Sequence, residues 1–156
     1  MAPETAPRDL TDPDLVAAYP SLTVDRDTAE YYRGWAQREL RVRHCTECGH
    51  TWLPFRPVCP RCWSFAVDHV AVRGDGTIHL LMLLHQGPAA SGVDYTLGPW
   101  PVATVEFADH PGVRVTTTIV DAEPHDLAVG QPVTLTWFER DGMPHPAFRP
   151  TGESAA

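Results

Sequence analysis

The chain has 156 residues, 43% of them hydrophobic, which is enough for one domain or two small modules and excludes a disordered chain. Its formal charge of −8 rests on twelve arginines, no lysine and twenty carboxylates, a balance that works against binding to a phosphate backbone. Sixteen prolines and eleven glycines point to short strands and many turns, and away from a helical bundle.

Residues 1–22 are dominated by Pro, Asp, Glu and Thr without sustained periodicity, which predicts a flexible lead-in. They lack the basic start and apolar run of a secretory signal, and no window approaches the length of apolar chain that spans a bilayer. The expectation is a soluble cytoplasmic protein with no membrane partner. A helix is predicted over 23–43, with Asp27 as its cap and Glu30 completing a capping-box-like pair. Tyr31, Tyr32, Trp35, Ala36 and Leu40 recur on one face at helical spacing. Three large rings are more than a small module easily buries. Tyr31, Tyr32 and Trp35 therefore either pack against the strands that follow or offer a docking face to another protein.

The segment 44–66 carries all four cysteines: Cys45 and Cys48, ten intervening residues, then Cys59 and Cys62. A two-residue gap lets both thiolates of a pair reach one ion from a tight knuckle. Two such knuckles joined by a hairpin make a tetrahedral site, so this is a strong signal for one structural zinc in a rubredoxin-like ribbon. Four thiolates leave no open coordination position, and the flanking His44 and His50 are not needed as ligands. Gly49 supplies the permissive backbone that a knuckle favours, whereas the equivalent position after Cys62 is Trp63.

From Arg26 to Arg61 seven arginines face four carboxylates, and the remainder of the chain holds five arginines against sixteen. These arginines either offset the doubly negative thiolate cage or bind an anion.

The rest reads as strand and turn. Val67–Arg73 is followed by a Gly74-Asp75-Gly76 turn, Thr77–Gln86, a loop over 87–98, Pro101–Phe107, Val113–Val120, a helical turn over 121–129, Pro132–Arg140, an Asp141-Gly142 hairpin turn and Met143–Arg149. Five or six short strands without a long helix predict a closed barrel over 67–150, with a tail at 151–156. The histidines at 79, 85, 110, 125 and 145 show no catalytic spacing, and Asp121, Glu123 and Asp126 read as solvated turn residues. The fold class is mainly β: an N-terminal helix, a zinc ribbon and a C-terminal OB-type barrel. Barrels of this kind commonly bind single-stranded nucleic acid, which is the alternative reading; such sites need a basic groove with stacking aromatics, whereas the barrel region carries most of the negative charge and few arginines.

Several motifs stand together. Tyr31-Tyr32 precedes Trp35 and Leu40, Cys45-Thr-Glu-Cys48-Gly49 is followed by Phe55-Arg56-Pro57, and Cys59-Pro60-Arg61-Cys62 closes the ribbon. Farther on come Gly74-Asp75-Gly76-Thr77-Ile78, Val129-Gly130-Gln131-Pro132-Val133 and Phe148-Arg149-Pro150. Over about residues 28–150 this combination resembles the zinc-ribbon/OB-fold acyl-CoA-associated family, domain of unknown function 35. The chain departs from that pattern at Tyr31-Tyr32, where Phe-Trp is usual, and at Arg38, where glycine is usual. The resemblance implies a non-catalytic helper in a hetero-oligomer with a thiolase-fold enzyme (a thiolase, an acyltransferase or an aldolase of steroid side-chain CoA esters), or with a hotdog-fold enoyl-CoA hydratase. It places acyl-CoA at or near the interface; by their chemistry Arg41, Arg43, Arg56 and Arg61 are candidates either for the CoA phosphates or for balancing the zinc centre. The loop 87–100, long for a barrel hairpin, is a candidate for contact with the acyl group or the partner.

Overall fold

Leu15 and Tyr19 are fully buried, so the predicted lead-in contains structured chain. The computed structural model describes residues 9–88 and 92–152 and divides into two units: residues up to Arg73 together with Trp137–Pro146, and Gly74–Thr136 with the C-terminal stretch from Ala147. Residues 1–8 of the expected lead-in and 153–156 of the expected tail lie outside the described residues.

The first unit begins with helix α1, Asp12–Ala18, in place of flexible chain. Thr11 and Asp14 close a capping box, with the Thr11 hydroxyl donating to Asp14 at 2.6 Å and the Thr11 amide at 3.2 Å. Its buried face joins Leu15, Tyr19, Ala29, Ala36 and Met143 in one core, with Tyr32 and Trp35 packed against it. The Tyr19 hydroxyl donates to the Pro144 carbonyl at 3.1 Å, which satisfies the one polar atom of that buried ring.

Helix α2 spans Ala29–Ala36 only, against the 23–43 expected. Its start is organised by Asp25, not Asp27: the Asp25 carboxylate accepts from the Asp27 and Thr28 amides, both at 2.9 Å. Its end is set by Arg38, in the left-handed region at φ 57°. The Arg38 amide donates to Trp35 and the Glu39 amide to Gly34, both at 2.8 Å, a Schellman stop in which arginine stands at the usual glycine position. Gly34 leaves room for this reversal, since a Cβ there would lie 2.6 Å from the Glu39 carbonyl oxygen.

Beyond the stop the chain is strand. β1 (Arg41–Cys45) lies between β2 (Thr51–Trp52) and β3 (Val67–Ala71) in a three-stranded sheet. The last of these corrects the expected boundary: Cys45 pairs with Val67 and Arg41 with Ala71, so the strand predicted to open the barrel completes the ribbon sheet.

The second unit holds the barrel strands β4 (Asp75–Leu84), β5 (Trp100–Phe107) and β6 (Arg114–Ile119), with the bases of β7 (Pro132–Arg140) and β8 (Met143–Pro150). The closed order is β4-β5-β6-β8-β7, and β6 runs parallel to β8. β5 alternates strictly, with Ala103, Val105 and Phe107 buried beside Ile78, Val115, Val133 and Phe148. The expected Gly74-Asp75-Gly76 turn is confined to Gly74, at φ 99°. Asp75 and Gly76 are already in β4, and Gly76 pairs with Phe107 on one side and Val133 on the other. The turn over 121–129 contracts to a single 3-10 turn, Pro124–Asp126. In the 87–98 loop a 3-10 turn forms at Tyr95–Leu97, and residues 89–91 lie outside the described residues.

Candidate metal centre

The two cysteine pairs meet. The Sγ atoms of Cys45 and Cys62 are 3.6 Å apart and those of Cys48 and Cys59 are 3.7 Å apart, and all four fall within 4.8 Å of one another. Four thiolates at about 2.3 Å around one tetrahedral ion would be separated by roughly 3.8 Å, so the quartet fits a zinc-sized ion. None is in a disulfide; Cys45 and Cys59 are buried, and Cys48 and Cys62 are at the surface.

Local backbone explains the convergence. In the first knuckle the Gly49 amide donates to the Cys45 carbonyl at 2.9 Å, and in the second the Trp63 amide donates to that of Cys59 at 3.0 Å. Burial opposes ionisation of Cys59, but hydrogen bonds from the Cys62 and Arg61 amides and from the Cys48 and Cys62 thiols together outweigh it and bring the thiol down to about 7. Trp52 and Val67 pack against Cys45 and Cys59 from the ribbon interior. His50 stacks on Trp52 at 5.7 Å, and neither His44 nor His50 is in the ligand group.

The aromatic residues of α2 are turned inward. Tyr31 contacts Phe55 at 5.0 Å and Trp35 at 5.3 Å between ring centres. Tyr32 and Trp35 both meet Tyr19, at 5.9 and 6.0 Å. Burial pushes the Tyr31 phenol well above its ordinary value. Sequence periodicity did not register the two rings that are most open, Trp63 at 77% and Phe65 at 78% exposure. One signal was present in the sequence: Trp63, a bulky residue, fills the step that glycine takes in the first knuckle.

The four arginines also separate. Arg41 pairs with Glu39 and Glu30, and it donates to the Gln37 amide oxygen at 2.8 Å. Arg43 lies 4.6 Å over the Phe55 ring, donates to the Asp27 carbonyl, and has its guanidinium pulled below the usual value by burial. Arg56 and Arg61 are exposed, with no ion pair among the described residues.

With the geometry in place, likeness to known proteins becomes informative. Residues 33–68 match the rubredoxin-like zinc ribbon domain of ChsH2, and residues 69–138 match its C-terminal OB-fold domain. A solved structure described as Ltp2-ChsH2(DUF35) aldolase is 31% identical, with a TM-score of 0.74 over 83% of this chain and 98% of that one. The chain belongs to the DUF35/ChsH2 family. Within it, a DUF35 domain-containing scaffold protein of Methanothermobacter thermautotrophicus is 30% identical over 71% of this chain and 81% of its own. A probable enoyl-CoA hydratase alpha subunit of Thermomonospora curvata is 33% identical over 86% of this chain, which spans only 40% of that protein's length. The boundary between the two DUF35/ChsH2 profiles falls inside β3, two residues into a strand that the ribbon sheet holds whole. No helix among the described residues is long and apolar enough to cross a membrane.

Proposed function

We propose that this chain is the non-catalytic partner subunit of a thiolase-fold enzyme, a thiolase or retro-aldolase, that acts on acyl-CoA thioesters in the cytoplasm, in steroid side-chain or other lipid catabolism. The observation that carries this reading is the match to nearly all of a chain from an aldolase, at 31% identity and a TM-score of 0.74. The scaffold description of the Methanothermobacter relative points the same way.

The chain's own chemistry supports a scaffold. The quartet Cys45, Cys48, Cys59 and Cys62 suits one zinc per chain, and a closed four-thiolate shell gives the metal a structural part, on the order of 10 kcal/mol toward folding of the ribbon. The partner then supplies the nucleophile and bases. Of the arginines assigned to anions, Arg56 and Arg61 are the two that are exposed and without an ion pair among the described residues.

Co-expression with the thiolase-like enzyme of its own cell tests the reading. A heteromeric peak that cleaves an acyl-CoA, with neither chain active alone, is the expected result. Turnover of a thioester by this chain alone, or failure to bind any such enzyme, would overturn it.

The 33% identity to a probable enoyl-CoA hydratase alpha subunit favours a second reading, a partner of a hydratase. Product analysis separates the two: hydration adds water across a double bond, whereas the first reading releases a shortened acyl-CoA or a ketone. Single-stranded nucleic acid is a weaker fit. The barrel unit has two arginines, Arg114 and Arg149, against eight carboxylates, and both are paired, with Glu106 and Asp121.

A further inference from the structure

Seven arginines lie between Arg26 and Arg61, and the structure sorts them. Arg33 is held by Asp12 and Glu30, Arg38 by Glu139 at 2.6 Å, Arg41 by Glu39 and Glu30, and Arg43 by the Phe55 face and the Asp27 carbonyl. Arg26, Arg56 and Arg61 are exposed and have no carboxylate partner among the described residues. Of the three, Arg26 lines a hollow of the ribbon unit, and Arg56 and Arg61 lie close to its lining in sequence. The hollow, of about 770 Å³, is also lined by Pro57, next in sequence to Arg56, and by Phe65 and Val67. Arg61 is two residues from Trp63 in the knuckle that leads to Phe65.

Phe65 in that lining and Trp63, two residues before it, are the two most exposed large aromatics of the unit. Trp63 is there at a conformational cost, since its φ of 63° is one that a side chain adopts poorly. Asp25, Asp27 and Arg43 also line the hollow; Asp25 is engaged in capping α2 through the Asp27 and Thr28 amides, and the Asp27 charge faces Arg43. Two exposed aromatics with exposed arginines close by in the chain have the composition of an interface core with a charged rim.

We infer that the ribbon face formed by Trp63, Phe65, Arg26, Arg56 and Arg61 docks on the partner enzyme, at a surface with an apolar hollow rimmed by Asp and Glu. The inference rests on the proposed function and moves the contact from Tyr31, Tyr32 and Trp35 to the second knuckle. Free guanidinium groups can take a carboxylate rim through bidentate hydrogen bonds, the same geometry with which they would hold a phosphate, and the rings fill the hollow between them.

The test measures binding of the full-length zinc-loaded chain to the co-purified thiolase-like enzyme, with zinc content assayed for every variant. Trp63→Gly with Phe65→Ala is expected to weaken binding by about 100-fold or more while one zinc per chain is retained. Arg56→Glu with Arg61→Glu is expected to slow association and remove most of its salt dependence, and Arg56→Lys with Arg61→Lys to restore the salt dependence in part. If the wild-type chain binds and the first pair of changes alters affinity less than threefold with zinc retained, this inference fails and the functional reading stands. If the wild-type chain binds no such enzyme, both fail. Displacement of the enzyme by coenzyme A alone, or a self-association of the chain that Trp63→Gly abolishes, would likewise overturn it.

Discussion

Gly49 and Trp63 occupy the same step of two matching knuckles: each has a left-handed φ, 71° and 63°, and each amide donates to the carbonyl of the first cysteine of its pair. The step is imposed by the metal loop, so the residue there adapts to it. Nothing lies within 4 Å of a Cβ built on Gly49, and Gly49→Ala should therefore lose only the left-handed penalty, about 1–2 kcal/mol. Trp63→Gly should relieve a similar strain while adding about 0.4–1 kcal/mol of unfolded-state entropy, leaving stability nearly unchanged. Thermal melts of the zinc-loaded proteins read both; a large loss in Trp63→Gly would show that the ring packs within its own chain.

Metal removal should act on thiols before anything else. All four cysteines are expected to resist a thiol reagent in the zinc-loaded protein and to react after chelation, with release of one zinc per chain. Full thiol reactivity before chelation would contradict the cage.

Gly76 is where β4 pairs with β5 and β7 at once, and a Cβ there would sit 2.6 Å from both the Glu106 carbonyl oxygen and Val105 Cγ1. Gly76→Ala should force the strands apart and cost about 1–3 kcal/mol or more. Gly112→Ala is the control: its Cβ meets nothing within 4 Å, so only its φ of 82° opposes the change. Equal denaturation midpoints for the two variants would refute the close approach.

His145 is buried with ring centres of Tyr19, Trp35 and Phe138 at 5.5–5.6 Å, and its Nδ1 lies 3.1 Å from the Met143 carbonyl. Burial lowers its pKa, against the backbone contact with Met143; the neighbouring charges are Arg140, Asp141 and Glu139. A depressed folded value means that the unfolded chain binds the proton more readily. The stability contributed is then full above about pH 6.5 and is lost as pH falls toward the folded value. His69, also lowered by burial and then by Arg41, adds in the same direction. Melting temperature should drop on acidification below about pH 6.5, and His145→Phe should flatten part of that drop.

How much of this was readable beforehand depends on the range of the forces involved. The cysteine quartet is specified by spacing alone. Pro132–Arg140 is found with its expected limits, because alternation and the Asp141-Gly142 turn are local signals; both turn residues take positive φ, 53° and 74°. Helix α1 carries no sustained periodicity of its own; what holds it is the burial of Leu15 and Tyr19 against α2 and against Met143 and Pro144, more than a hundred positions away. The end of α2 was misread for a different reason. Apolar periodicity continues through Leu40, while Arg38 stops the helix by a backbone conformation that its residue type does not advertise. β3 was given to the wrong sheet, since a strand's pattern does not name its neighbour.

Trp137–Pro146 belongs to the first unit although it is read from the chain after most of the barrel. Met143 lies in the same core as Leu15 and Ala36. A single crossover near Arg73 would therefore pass on a ribbon without the hairpin that finishes its core, and a fragment ending there should come out molten. Exchanging ribbons between paralogues calls for two breakpoints, which binds the inheritance of the metal module to that of the barrel's last hairpin.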